Sequence, residues 1–380
     1  MLKVLQVIHG LNMGGAETLV KDYALGFDKE RIDLTILCYE HCDSPYEILL
    51  KEKGIRIIYV CDEIPEFKKR DFVSKVCKTV KLYWKIRWYI RQICPDVIHM
   101  HLTVSKYVKF ARPVKNTVIF YTQHFQVERW EKNYPRDIKA AKWLKRHYTM
   151  RLIALNEDMR RKLNHLFQVK DTLVFNNGVS ISRFENTRDR VEFRKELGIA
   201  KDALVIGHVG RFSKIKNHDF LVEVFAEIFK ERKDAFLLMI GNGETKEYII
   251  EKLNVLGLGS GKSMILSNRT DVPDLLKIMD FLVFPSFSEG MPLTLIEAQI
   301  AGVRCLVSDV VSQAIQISNL IQYESLKETP RKWAEKILVW KEEKVLYHDI
   351  DKWDMKGIIC KLEQTYIELV KEMTEKELKD

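Results

Sequence analysis

Short apolar runs alternate with helix-length amphipathic segments along the whole chain. In the first half the runs fall at 3–8, 32–37, 55–60, 97–101, 117–122 and 152–155. After a charged stretch the pattern restarts at 204–209, 236–240, 265–267, 281–285 and 304–308. Continuous apolar runs of this length, with longer polar-faced segments between them, read as strands of a parallel sheet covered by helices. The restart predicts two such α/β domains in tandem.

Asn176-Asn177-Gly178-Val179 is a turn signal placed between an apolar run and a charged segment. The expected division is a domain over 1–175, a linker over 176–190, a second domain over 191–350 and a closing helix over 351–380. At 380 residues the chain exceeds what one growing core usually fills, which agrees with two domains and a cleft between them.

Composition narrows the class. Apolar residues make up 46% and charged ones 30%, as in an ordinary globular protein, and no run is long enough for a membrane-spanning helix. The N-terminal apolar run is short and ends in a glycine turn, so it reads as a first strand and not as a signal peptide. The seven cysteines are scattered and never spaced as Cys-x-x-Cys, which argues for a reducing, cytoplasmic setting. Cys38, His41 and Cys42 stand close together, but they read as a strand end and loop, and no metal site is assigned. Charge is uneven: of 62 Lys and Arg, 32 lie before residue 176, against only 20 of the 53 acids.

Ligands of open parallel sheets bind at the carboxyl ends of strands, where helix N-termini offer free amides to phosphate. Four such turns carry residues of interest. The first, His9 to Glu17, holds Gly14-Gly15, which would admit a close ligand; it is not the Gly-x-Gly-x-x-Gly of a nicotinamide site. The second holds Arg211 and Lys216, cations placed to converge on one diphosphate and to neutralise it as it leaves. The third, Gly241-Asn242-Gly243, would leave room for a nucleotide. The fourth places Glu289 in a Gly/Pro loop and Glu297 one turn into the next helix, suited to a sugar and to a nucleoside ribose respectively. The amides around the stretch Gly290, Met291, Pro292 and Leu293 could cradle the phosphates.

The Glu289 to Glu297 segment resembles the Glu-x7-Glu signature of the family-4 retaining glycosyltransferases, and the resemblance spans essentially the whole chain. Gly14-Gly15-Ala16-Glu17 is similar to that family's N-terminal glycine loop, Asn177-Gly178-Val179 to its interdomain motif, and Gly210-Arg211 with Lys216 to its diphosphate clamp. The segment from Arg269 to Leu276 resembles the one that positions the base. Within the family the stretch from Glu289 to Asp309 is most similar to bacterial capsular and exopolysaccharide transferases. Arg304 departs from the usual proline, and 310–318 lacks the glycine and acidic residue common there.

The resemblance implies a GT-B fold, two doubly wound Rossmann-like domains with an interdomain cleft. It implies transfer with retention of a hexosyl or N-acetylhexosaminyl unit from a nucleotide sugar, UDP-linked, to a glycan or polyprenyl-diphosphate-linked acceptor. In that scheme Glu289, Arg211 and Lys216 act catalytically, and His124 faces the sugar from the first domain. No cofactor or metal is implied. Asp349-Ile350-Asp351 looks like the metal motif of single-domain transferases but lies past the last predicted strand and is set aside. A sugar-nucleotide epimerase of the same fold and a non-catalytic transferase-like subunit are the alternatives.

The basic excess has a separate meaning. From 68 to 91 there are nine Lys or Arg and one acid, with Phe72, Val76, Val80, Tyr83, Ile86 and Ile90 expected to face the core. The opposite face mixes lysines with Trp84 and Trp88, and 139–151 adds a second basic cluster with Trp143. This suits peripheral docking on anionic lipid at the inner face of the cell membrane. Nucleic-acid binding would account for the charge but not for the paired glutamates, and it is not expected.

Overall fold

The computed structural model describes residues 1–64, 72–289, 291–341 and 343–377, and divides into two compact units. The first comprises 1–178 and 355–380, the second 179–354. Gly290, residues 65–71 with the start of the basic segment, and the side chain of Phe72 lie outside what is described.

The first unit is built on seven parallel strands: β1 (Leu2–Ile8), β2 (Ile32–Cys38), β3 (Arg56–Tyr59), β4 (Val97–His101), β5 (Val118–Thr122), β6 (Met150–Ala154) and β7 (Leu173–Val174), in the order 3-2-1-4-5-6-7. The alternation of a strand directs its apolar residues to both faces. Val4 and Ile8 enter one core, while Leu5 and Val7 enter the other.

The second unit has β8 (Val205–Val209), β9 (Phe236–Ile240), β10 (Ser263–Leu266), β11 (Phe281–Phe284), β12 (Arg304–Ser308) and β13 (Ile321–Glu324), in the order 10-9-8-11-12-13. Both sheets are therefore doubly wound, with strand order reversing beside β1 and beside β8. In such sheets the crevice outside the carboxyl ends of the two strands flanking the reversal is the ligand position. Here those ends are the loops after β8 and β11 in one unit, and after β1 and β4 in the other.

The final helix, Met355–Glu377, belongs to the first unit. Met355, Ile358, Ile359, Leu362, Tyr366 and Leu369 pack with Tyr23, Phe27 and Phe120, each burial worth about 2 kcal/mol. Gly26 makes the approach possible, since a Cβ there would stand 2.3 Å from Ile359 Cδ1. Residues 179–190 fold into the second unit: Val179 and Phe184 join its core, and Val179 N–H donates to Trp353 O at 2.7 Å.

One helix face differs from its expected register. Helix Phe72–Ile93 buries Ile86 and Ile90, but Val76 and Val80 are exposed. At 22 residues the helix is about 33 Å long, whereas the five-residue β4 spans about 17 Å, so the leading turns outrun the sheet they would cover.

Candidate functional site

The loop after β8 descends through Gly210 to a 3-10 turn, Lys214–Lys216, then enters helix His218–Glu231 through Asn217 at φ +55°. The loop after β11 runs from Pro285 to Pro292 and enters helix Leu293–Ile300. Phe287 N–H donates to Ile215 O at 2.8 Å and holds the two loops together at the strand reversal.

That contact brings two of the expected residues into direct partnership. Lys216 Nζ lies 2.7 Å from Glu289 Oε1, and 4.7 Å from the centre of the Phe284 ring. The pair is mostly enclosed, with side-chain exposures of 20% and 11%. A charge-assisted bond in such surroundings is stronger than its exposed equivalent and fixes both groups. Gly210 helps shape the site, because a Cβ there would meet His208 Nε2 at 3.1 Å and Lys216 Cε at 3.5 Å.

Beneath Lys216 lies an aromatic floor that sequence reasoning missed. His208 stacks on Phe284, His218 stacks on Phe212, and the two imidazoles meet edge-on with centroids 4.5 Å apart. Burial holds His208 down to about 4, against a partly offsetting bond that its Nδ1–H donates to Val283 O and with Lys216 adding repulsion. Burial likewise lowers His218 to about 2, helped by His208 and Lys216. Both rings are neutral at physiological pH, which leaves Lys216 as the cation of this floor. The signal was present in His208 and His218 themselves, polar residues inside otherwise apolar strand and helix patterns.

Arg211 does not join Lys216. Its side chain is 75% exposed, and NH2 lies 3.4 Å from Glu244 Oε2. Arg269 is held by Asp271, with Nε 2.7 Å from Oδ1. Burial pushes Asp271 up, but the bond and charge of Arg269, a backbone hydrogen bond and the charge of Arg188 together hold it below its ordinary value. Met291 and Leu293 pack partly against the core, and Pro292 precedes the first turn of the helix that carries the half-buried Glu297. Gly290 falls outside the described residues.

Gly241 and Gly243 have a use the sequence did not disclose. A Cβ on Gly241 would come 1.9 Å from Gly210 O, and one on Gly243 2.2 Å from Phe212 O. Both adopt φ +154°, and Phe212 N–H donates to Asn242 O at 2.9 Å. Their missing side chains let this turn pack on the Arg211 loop, so the space is filled by backbone.

In the first unit, Gly14 precedes helix Gly15–Gly26, and a Cβ at Gly15 would face open space. His9 Nε2 lies 3.0 Å from Thr103 Oγ1 and joins the loops after β1 and β4. His124 follows β5, and its Nε2 lies 3.0 Å from His101 Nδ1. His99 continues the cluster, bonded to Thr122 and to Tyr366 at 2.6 and 2.5 Å. Burial lowers His99 and His124 to about 3, so His124 presents a neutral ring.

A basic groove of about 730 Å³ opens on the same unit. Trp84, Arg87, Lys106, Lys109, Arg136 and Trp143 are among its ten lining residues, of which five are Lys or Arg and none acidic. Beside it Val76, Val80, Trp84 and Trp88 form an exposed stripe at four-residue spacing. No described helix is long and apolar enough to cross a membrane.

Comparison with known proteins agrees with this architecture. Residues 13–183 match the model of Glycosyltransferase Family 4, and 189–353 that of Glycosyl transferases group 1. The Bacillus subtilis protein EpsF, described as a glycosyltransferase, is 28% identical over 88% of this chain and 86% of its own length. The UDP-Gal:alpha-D-GlcNAc-diphosphoundecaprenol alpha-1,3-galactosyltransferase of Escherichia coli is 25% identical over 76% of this chain and 75% of its own. Among solved structures, Anabaena HepE in complex with UDP and glucose superposes with a TM-score of 0.69 at 17% identity, covering 99% of each chain. With two doubly wound sheets, a site at the strand reversal and family matches over both units, the chain belongs to the family-4 glycosyltransferases of GT-B fold.

Proposed function

We propose that the protein transfers a hexosyl or N-acetylhexosaminyl unit, with retention, from a UDP-sugar to a polyprenyl-diphosphate-linked glycan in cell-surface polysaccharide synthesis. The observation that carries the reading is the Lys216–Glu289 pair at the β8/β11 reversal. An enclosed cation beside two helix N-termini suits a diphosphate, and the carboxylate it holds suits a sugar hydroxyl. The E. coli relative is named for a UDP-sugar and a diphosphoundecaprenol acceptor, the HepE structures hold UDP and UDP-glucose, and a further relative is the capsular polysaccharide transferase CapH of Staphylococcus aureus.

In this reading the donor diphosphate draws Lys216 away from Glu289, and Arg211 swings in from its exposed position. The two cations stabilise the charge that develops on the leaving phosphate. The phosphate oxygen takes the acceptor proton as the new bond forms on the same face of the sugar. Glu289 then orients the sugar, Glu297 holds the ribose, and Arg269 with its neighbours presents backbone to the base. Gly14 and Gly15 keep the first unit's loop low enough for close approach of substrate. His124, assigned on the family resemblance, offers a hydrogen bond and no charge.

The same reading extends to the acceptor side. Cations lining the basic groove and the Val76–Trp88 stripe suit anionic headgroups and the shallow apolar layer below them. The protein would thus work from the inner face of the membrane.

A panel of UDP-sugars, with and without a polyprenyl-diphosphate acceptor, tests the proposal. UDP release should require the acceptor, the product should keep the donor's anomeric configuration by NMR, and the rate should not change when Mg²⁺ or Mn²⁺ is added. Rapid conversion of donor without acceptor would favour an epimerase, and no turnover or UDP binding would favour a non-catalytic subunit.

A further inference from the structure

The turn after β2 and the helix that follows it, Pro45–Glu52, carry a cluster that glycosyl transfer does not use. His41 Nε2 lies 3.2 Å from Asp43 Oδ1 and 3.5 Å from Glu47 Oε2, while its Nδ1 lies 2.9 Å from Asp62 Oδ2. The ring is stacked on Tyr59 at 4.0 Å, which fixes its plane.

Glu47 is the unusual member. Its side chain is only 1% exposed; Oε1 accepts from Cys42 N–H at 3.1 Å, but buried Oε2 has no hydrogen-bond donor among the described residues and points toward His41. A buried carboxylate oxygen left without a donor is costly. The imidazole adds to the conflict. In the tautomer that donates Nδ1–H to Asp62, Nε2 turns its lone pair toward two carboxylate oxygens.

A cation among the three atoms removes both problems, and the spacing matches one. Zinc bonds to nitrogen and oxygen are about 2.0–2.1 Å, so two ligands at a tetrahedral angle stand about 3.3–3.4 Å apart. The two separations from His41 Nε2 bracket that value, and all three atoms lie within 4.8 Å of one another. Asp62 then completes the carboxylate–histidine–metal arrangement that sets the tautomer of a ligating imidazole. We propose that His41, Asp43 and Glu47 bind one divalent cation, Zn²⁺, with solvent in the remaining position, and that the ion pins the β2 turn to the helix Pro45–Glu52. The cluster belongs to the first unit, and the ion is assigned no part in transfer.

The test uses the full chain, stripped with EDTA, dialysed, and titrated with ZnCl₂ by calorimetry while melting is followed in parallel. One Zn²⁺ should bind per chain and raise the melting temperature. Asp43→Asn alters a side chain that is 90% exposed, so it should fold normally yet bind zinc far more weakly. Asp62→Asn should weaken binding by about 10- to 100-fold without removing a ligand. Glu47→Gln keeps all seven cysteines and should abolish the site. The proposal is overturned if the stripped chain binds no zinc, as expected when a proton on Nε2 holds the cluster together. It is equally overturned if Asp43→Asn and Glu47→Gln bind as well as the wild type, because the ion then sits elsewhere.

Discussion

The Lys216–Glu289 pair makes separable demands on stability and on chemistry. Replacing Lys216 by Met keeps a stem over Phe284 but leaves the Glu289 carboxylate enclosed without its cation. Breaking a fully buried pair costs about 3–5 kcal/mol; since both side chains keep some solvent contact, about 2 kcal/mol is expected here. In a unit of this size that lowers the melting temperature by about 4–8 °C. Glu289→Gln keeps an acceptor for Lys216 and should cost about half as much. The double variant Lys216→Met/Glu289→Gln strands no charge, so it should regain about 1 kcal/mol relative to the sum of the singles. Activity should behave otherwise. A cation at the leaving phosphate is worth about 100- to 1,000-fold in turnover, and removing its partner cannot replace it. Scanning calorimetry and initial rates of UDP release on all four proteins complete the cycle. If the double variant regains transfer in step with its melting temperature, the pair is structural and the site assignment fails.

Three further outcomes follow from other parts of the molecule. His99 and His208 are held to about 3 and about 4 by burial, so the unfolded chain binds more protons than the folded one once pH falls below the ordinary histidine value. Their contribution is complete above that value and is lost on acidification; between about pH 7.5 and about pH 5 each should remove about 2 kcal/mol, read as a falling melting temperature. A melting temperature that is flat over that range would refute the neutral-ring assignment. Trp84→Ser/Trp88→Ser should reduce cosedimentation with vesicles containing phosphatidylglycerol, and wild-type binding should weaken with salt; equal binding to neutral vesicles would remove the electrostatic account. Gly243→Ala places a Cβ against Phe212 O and should cost more than about 2 kcal/mol by calorimetry, whereas Gly15→Ala, facing open space, should cost little in stability.

The sheets were readable because their central strands are buried on both faces and stay apolar throughout, as at β9 and β11. The last strand of each sheet lacks that signature. β7 has two residues, and in β13 only Ile321 is buried, so neither stands out from a loop. The helix Phe72–Ile93 was misjudged at its start because periodicity reports which residues share a face, not whether anything covers that face. Lys216 and Glu289 were legible as strand-end residues 73 positions apart, and the strand order brings them together. Arg211 was legible as a cation but not as one leaning on Glu244, a choice made by the neighbouring turn. The cluster around His41 could not be read from Cys38, His41 and Cys42 alone, since the other groups are Asp43 in the turn, Glu47 in the next helix and Asp62 beyond β3.

The division of the chain also bears on how the protein is made. The first unit is interrupted after Gly178 and resumes at Met355, with all of the second unit between. At a synthesis rate of about 5–20 residues per second, the ribosome needs about 10–35 s to make that intervening stretch. Meanwhile the apolar faces around Tyr23, Phe27 and Phe120 are without the helix that covers them. During that interval the second unit can finish folding while the first waits as an incomplete, adhesive nascent chain, a natural client for a chaperone at the ribosome exit. Truncation near residue 354 would make that interval permanent, and would injure the N-terminal unit while sparing the one next to the cut.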